Sequence, residues 1–361
     1  MNEFEPADLR AAVAAGILTE AQAASVTAIA NDRAGKRAAM PAEDEPFEFF
    51  RGFSEIFVSI GLIILLAGIA LMLGWFGGFA MLSLLPLICA GICWWWAHYF
   101  TLKRRMNLPS MVLAAAFGGG LYVSVITILG QANLPLRTTV VGAFVLAAIG
   151  MAVWYRRFRL PFSAFILGLF ALGAIYTMTA SLDALGGFVS GSRDGLDGLF
   201  DLRESPQFAF ATLGFGIACF VVGMWFDTRD PYRLGRHAAT AFWLHLLAAP
   251  ALVNTVALTL YNTGGTTGIG LLIFALGAIT VLALVIDRRS FLTAAIAYIA
   301  LVIAWIVGDS GNFGTWTFIL ILLGGIVTAI GTWWVPLRSL VMRALPDFPG
   351  KSRLPPYASA E

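Results

Sequence analysis

The residues best placed to do chemistry in this 361-residue chain share one apolar stretch, 238–260. His245 and Asn254 lie on either side of its midpoint, with Pro250 between them. An imidazole and a carboxamide in so apolar a setting can hold a ligand or a proton. Alternatively, each makes a hydrogen bond to a neighbouring helix, worth about 0.6 kcal/mol on average. Nine residues at about 100° each set the two on opposite faces of a straight helix. Pro250 cannot donate to the Leu246 carbonyl, so a kink is expected, and only a kink that rotates one half lines one cavity with both.

Other constellations are weaker. Cys89, Cys93 and Cys219 all lie in apolar runs. The first two share a helix face, but two thiols without further ligands make a poor metal site, so they read as packing residues, with no metal and no disulfide framework implied. Ala114, Ala115 and Ala116, followed by Phe117 and then Gly118, Gly119 and Gly120, make three overlapping pairs of small residues four apart. Such pairs let two helix backbones approach closely, for tight packing or for a lined passage. The stretch 183–206 carries Asp183, Asp194, Asp197, Asp201 and Glu204 against Arg193 and Arg203. Its spacing does not fit a dedicated calcium loop, so it reads as an acidic, solvated loop. There is no Ser/His/Asp set, no HExxH and no carboxylate pair at depth, and the glycines at 264, 265, 268 and 270 follow no strand. No catalytic residue and no cofactor is expected.

The elements that must position these residues are membrane helices. The chain is 59% hydrophobic and 12% charged, against about 25% charged in an ordinary soluble domain. A net charge of +2 with no basic block gives no sign of a nucleic-acid partner. Apolar stretches long enough to cross a bilayer core of about 30 Å recur at 54–76, 80–100, 110–130, 136–155, 161–182, 207–227, 238–260, 267–286, 291–308 and 315–335. The expected fold class is therefore an all-α integral membrane protein of about ten transmembrane helices. With the N-terminus inside, 20 of the 23 Lys and Arg residues fall on the cytoplasmic side, and only Arg137, Arg193 and Arg203 outside. That asymmetry places both termini in the cytoplasm. Trp94, Trp95, Trp96, Tyr99, Trp154, Tyr155, Trp225, Trp333 and Trp334 fall at the cytoplasmic helix ends, as an interfacial belt would. Acidic residues such as Glu55, Asp227 and Asp287 stand at span ends, and no Asp, Glu, Lys or Arg stands near a midpoint. Four hairpins share one plan, with basic turns marked by Arg104, Arg157, Arg229 and Arg288; either this is a repeat, or it is the rhythm any chain obeying the positive-inside rule shows.

The division expected is a cytoplasmic helical pair and linker at 1–46, a ten-helix membrane domain at 47–336 with a large external loop at 183–206, and a cytoplasmic tail at 337–361. In the pair, Gly16 ends one helix and Thr19 caps the next, with Gln22 completing a capping box. Leu9, Val13, Ile17, Val26 and Ile29 can close the two helices on each other. This opening, Ala7-Asp8-Leu9-Arg10-Ala11-Ala12-Val13-Ala14-Ala15-Gly16-Ile17-Leu18-Thr19-Glu20-Ala21-Gln22-Ala23, resembles that of the bacterial membrane proteins grouped as domain of unknown function 2157. The resemblance implies a bacterial inner-membrane protein and carries over no activity or site residue. Three functional readings follow. The first is a permease-like protein for a small or lipidic molecule, working without a buried ion-coupling charge. The second is a non-transporting sensor or scaffold whose residues 1–46 bind a cytoplasmic protein, and the third a membrane enzyme acting on lipid or envelope precursors. The bilayer is the partner common to all three.

Overall fold

The computed structural model describes residues 6–33, 52–77, 81–132, 134–181, 184, 187, 198–231, 233, 235–289, 313–355 and 357. The described residues are predominantly helical, with no strand among them. The helices are α1 (Pro6–Ala14), α2 (Glu20–Arg33), α3 (Phe53–Gly77), α4 (Met81–Ala97), α5 (Asn107–Gln131), α6 (Leu136–Phe158), α7 (Pro161–Thr179), α8 (Pro206–Asp227), α9 (Arg236–Asn262), α10 (Gly265–Ile286), α11 (Phe313–Thr332) and α12 (Trp334–Ala344). A π-helical segment, His98–Lys103, continues α4, and a short 3-10 turn, Lys351–Arg353, follows α12. Among the described residues, seven helices, α3 to α9, are long and apolar enough to cross a membrane. The predicted span at 291–308, the linker at 34–46 and the loop positions Asp183, Arg193, Asp194 and Asp197 lie outside the described residues.

The chain forms two compact units: Phe47–Phe215, and Met1–Pro46 together with Gly216–Glu361. In the first, α4 packs along α5, α5 along α6 and α6 along α7, and α3 lies against α4 and α5. Its core gathers where α4 and α6 end and α5 and α7 begin. Trp154, fully buried, meets Phe117 at 4.7 Å and Phe158 at 4.5 Å in tilted pairs and Trp94 edge-to-face at 5.6 Å. Rings at such distances add about 0.5–1.5 kcal/mol per pair beyond the area they bury. The belt expected from sequence is therefore divided. Trp95, Trp225 and Trp333 are exposed, whereas Trp154 and Trp334 are core residues.

Small residues set how closely these helices approach. A Cβ on Gly120 would stand 2.6 Å from the Pro86 carbonyl of α4, and one on Gly118 would stand 2.9 Å from Phe170 and 3.0 Å from Met151. Ala114 is buried beside Gly118, and Ala116 is half-buried. Ala115 is exposed, and Gly119 has open space where a Cβ would go. Two of the three small pairs thus face other helices and the third faces away.

Among the described residues, each of the four basic turns contains one non-glycine residue in the left-handed region: Arg105 (φ 53), Arg159 (φ 51), Arg233 (φ 55) and Asp287 (φ 55). Such a conformation costs roughly 1–2 kcal/mol per residue. Two of the four, Arg233 and Asp287, are tied to each other.

In the N-terminal pair, Thr19 N–H donates to Gln22 Oε1 at 2.9 Å and Gln22 N–H to Thr19 Oγ1 at 3.2 Å, a reciprocal capping box. Gly16 takes φ +73 in the turn. Leu9 and Val13 are buried, and Leu18 packs on Val13 and Ala23. Ile17 and Val26, expected between the helices, are exposed, and the Ile29 side chain lies outside the described residues.

Candidate functional site

The most elaborate polar arrangement lies in the second unit, where α8 ends, α9 begins and α10 ends. Asp227, the last residue of α8, receives the Arg288 guanidinium in a bidentate pair, Nε to Oδ2 at 3.0 Å and Nη2 to Oδ1. Arg288 Nη2 also donates to the Ala238 carbonyl of α9 at 3.1 Å. His245 Nε2 lies 2.9 Å from Asp227 Oδ2. With that carboxylate ionised against arginine, the imidazole Nε2–H donates. Arg288 and His245 are 0% exposed. Burial at that level is tolerated only for paired charges, and removing one partner of such a pair costs about 3–5 kcal/mol.

Packing seats the imidazole as firmly as the hydrogen bond does. Phe220 meets it edge-on at 5.5 Å. A Cβ on Gly223 would be 2.9 Å from its Cε1, so the close approach of α8 to the ring requires a glycine there. Gly223 and Asp227 stand four apart on α8 and present one face to His245.

A second charged pair stands beside the first in sequence. Asp287, the left-handed C-cap of α10, is held by Arg233 from the α8–α9 turn, Nη1 to Oδ2 at 3.2 Å and Nη2 to the Asp287 carbonyl. The Trp334 indole N–H donates to Asp287 Oδ1 at 2.7 Å, and Arg338 Nε lies 3.5 Å from the same oxygen. Arg338 reaches on to the Pro355 carbonyl at 2.6 Å, tying the C-terminal segment to α12. Burial pulls the Arg338 pKa below the usual arginine value, against the opposing charge of Asp287.

The start of α9 has no side-chain cap of its own at Gly235. Two acids from elsewhere supply it. Asp230 Oδ2 accepts from Gly235 N–H at 2.8 Å and Ala238 N–H at 3.3 Å. Glu20, at the start of α2, accepts from Arg236 N–H at 3.2 Å and pairs with His237, Nδ1 to Oε2 at 2.6 Å. Negative charge belongs at a helix N-terminus, where unpaired N–H groups point outward. Burial pushes the Glu20 carboxyl up, but His237 and the Arg236 N–H outweigh it and hold the group below its ordinary value.

The residues singled out from sequence are not brought together. His245 joins Asp227 and Arg288. Asn254, two and a half turns further along α9, is half-buried, and its buried Oδ1 accepts no hydrogen bond among the described residues. Pro250 is exposed, and α9 continues as a helix through it. The expectation of no charge at span midpoints describes these helices, but the wider expectation of a bundle without buried charge is corrected. Asp227, Asp230, Arg233, Asp287 and Arg288 are buried at helix ends or in turns, and Arg338 is buried within α12. A further correction concerns the acidic loop expected to be solvated, where Asp201 is buried and accepts from Arg203 N–H at 2.8 Å. Among the described residues, no group of three His, Cys, Asp or Glu side chains could hold a metal.

Unit Phe47–Phe215 contains a smaller counterpart. Glu55, in the first turn of α3, is buried and accepts from Asn107 N–H at 3.0 Å and Leu108 N–H at 3.1 Å, capping α5 where its N-cap Met106 cannot. Arg137 Nη2 donates to the Ala180 carbonyl at the C-cap of α7 at 2.7 Å, the favourable position for a cation.

These long apolar helices are compatible with a polytopic α-helical membrane protein. No protein-family model, curated protein or solved structure matches the chain.

Proposed function

We propose that this is a multi-pass membrane sensor or scaffold, with the N-terminal helical pair as a cytoplasmic module that docks on the membrane bundle and, when released, engages a cytoplasmic protein through residues 1–46. The observation that carries this is the Glu20 carboxylate. It joins the first turn of α2 to the first turn of α9, the same helix that bears His245 two to three turns on. A change of state in the Asp227–His245–Arg288 cluster thus has a short covalent path to the docking contact.

Topology supports the same reading. The start of α2, the α8–α9 turn, the end of α10 and α12 converge at one end of their unit through Glu20, Arg233, Asp287 and Arg338. Convergence favours an N-tail, these turns and a C-tail on one side of the membrane, as the basic-residue partition places them. The apolar stretches at 267–286, 291–308 and 315–335 in the sequence favour a count of ten. The resemblance of residues 7–23 to the domain of unknown function 2157 family favours a bacterial inner membrane.

A permease-like role remains a second reading, favoured by the half-buried Asn254 amide with its unpartnered Oδ1. Hydrogen exchange of residues 6–27 in the full-length protein in nanodiscs separates the two. A docked module exchanges faster in Glu20→Gln than in wild type. Equal exchange in both removes the docking contact from the account, and flux of a defined solute into proteoliposomes of the variant lacking residues 1–46 would favour the permease.

A further inference from the structure

Helix α12 has its polarity reversed relative to a helix on a water-facing surface. Its inward face, Trp334, Arg338 and Met342, is buried, and the inward arginine is paired with Asp287. Its outward face carries Leu340 at 66% exposure, with Leu337, Pro336 and Ala344 beside it and Trp333 exposed just before it. At 100° per residue, Pro336, Leu337, Leu340 and Ala344 fall within about 100° of one another, on the side away from Arg338, with the exposed Arg343 at the edge of that arc near the helix end. A soluble protein would place the arginine outward and the leucines inward. Here the inward position is electrically satisfied and the outward medium must itself be apolar.

Two more features say what that medium is. The helix starts two residues after α11, which lies in the apolar stretch 315–335 expected from sequence to cross the bilayer, so on that expectation it begins at the level where a span leaves the hydrocarbon. The segment that follows is basic: Arg343, Lys351 and Arg353 against Asp347 alone over 343–353, with Arg343 and Arg353 exposed. An apolar face flanked by an interfacial tryptophan and by exposed arginines is the pattern of a helix lying in the membrane plane, its basic residues at the headgroups.

We propose that α12 is an interfacial helix that seats Leu337 and Leu340 in the bilayer surface and recognises anionic lipid headgroups through Arg343 and Arg353. Bound lipid then bears on Arg338 and Trp334, and through them on Asp287 and Arg233, so membrane charge is a signal for the buried network. This deepens the sensor reading by naming its ligand as an anionic phospholipid surface, and it rests on the chain being embedded in a bilayer.

The test uses the full-length protein with Cys89, Cys93 and Cys219 replaced by Ala, carrying one environment-sensitive fluorophore at Leu340→Cys, Asp347→Cys or Leu146→Cys. Each is placed in phosphatidylcholine vesicles with and without phosphatidylglycerol. The label at 340 is expected to be quenched by shallow nitroxide lipids and shielded from aqueous iodide. Its emission should move to the blue when phosphatidylglycerol is added, and that move should vanish in Arg343→Gln/Arg353→Gln. The label at 347 should stay open to iodide, and the label at 146, exposed in mid-span on α6, should stay closed to it. A label at 340 as open as that at 347, with 146 closed, overturns the interfacial helix. Iodide access at 146 instead overturns the membrane placement itself. Shielding at 340 that grows with the protein-to-lipid ratio makes a second copy of the chain the occupant, and no response to phosphatidylglycerol overturns headgroup recognition.

Discussion

The two units hold their helix ends together by opposite means. In Phe47–Phe215 the junction of α4, α5, α6 and α7 is closed by rings, with Trp154 at the centre of Trp94, Phe117 and Phe158, and by glycines that let backbones touch. One buried acid, Glu55, caps one helix there. In the other unit the equivalent junction of α8, α9 and α10 is closed by two Asp–Arg pairs, a histidine and two capping acids. Apolar burial of rings is insensitive to pH, whereas paired buried charges are satisfied in few geometries and fail sharply when one partner is lost. The aromatic junction therefore suits a scaffold, and the charged one an element with two discrete states.

Removing a partner separates the two designs. Arg288→Ala leaves Asp227 buried without its guanidinium and should cost about 3–5 kcal/mol, read as a fall in the unfolding midpoint in detergent. Asp227→Asn with Arg288→Met should recover part of that loss, since a neutral, well-packed replacement of a buried pair is often tolerated. Trp154→Ala should cost a similar amount, about 3–5 kcal/mol, through the cavity it leaves, and no second substitution by charge should restore it. If Arg288→Ala proves as mild as an exposed pair, below about 1 kcal/mol, the contrast between the units collapses.

Overpacking gives the next largest effect, and in the aromatic unit it falls on α5. Gly118→Leu and Gly120→Leu should each cost at least about 1–3 kcal/mol, because Phe170, Met151 and the Pro86 carbonyl occupy the space. Gly119→Leu, with nothing near it, should be close to neutral by the same thermal measurement.

Capping acids give the smallest effects and join the two units in kind. Glu55→Gln should lose about 1 kcal/mol, comparable with loss of an N-cap. Glu20→Gln, at a more exposed site, should lose less and should act on the N-terminal pair alone. Because the folded Glu20 carboxyl is held below its ordinary value of 4.5, its contribution is fully present above that pH and lost as pH falls through the lower folded value. The protection factors of residues 6–27, each taken against the intrinsic exchange rate at its own pH, should fall down a pH series in wild type and stay level in Glu20→Gln.

Much of the helical frame was legible because a membrane span is a local property of some 20 apolar residues, and the capping box at Thr19 and Gln22 spans only four. The small stripe in α5 was legible as a packing device, though not which of its three pairs faced inward. The charged junction was hidden for a physical reason. Arg233 and Arg288 have the same residue type and turn location as any topogenic arginine, and their partners lie 54 and 61 positions away. Burial of an arginine at a turn leaves no periodicity to read. The signal that was available is the pairing of an acid at each helix end, Asp227 and Asp287, with Gly223 one turn before the first. Trp154 and Trp334 deceived similarly, since a tryptophan at a helix end looks interfacial whether it faces lipid or core.

The central claim is that the charged junction and the N-terminal pair are coupled through α9. The most direct measurement is hydrogen exchange of residues 6–27 in Arg288→Gln against wild type, in the full-length protein in nanodiscs. Coupling predicts faster exchange in that segment although Arg288 lies far from it in sequence, with Glu20→Gln adding little more. Unchanged exchange in 6–27, with loosening confined to the ends of α8, α9 and α10, would contradict it.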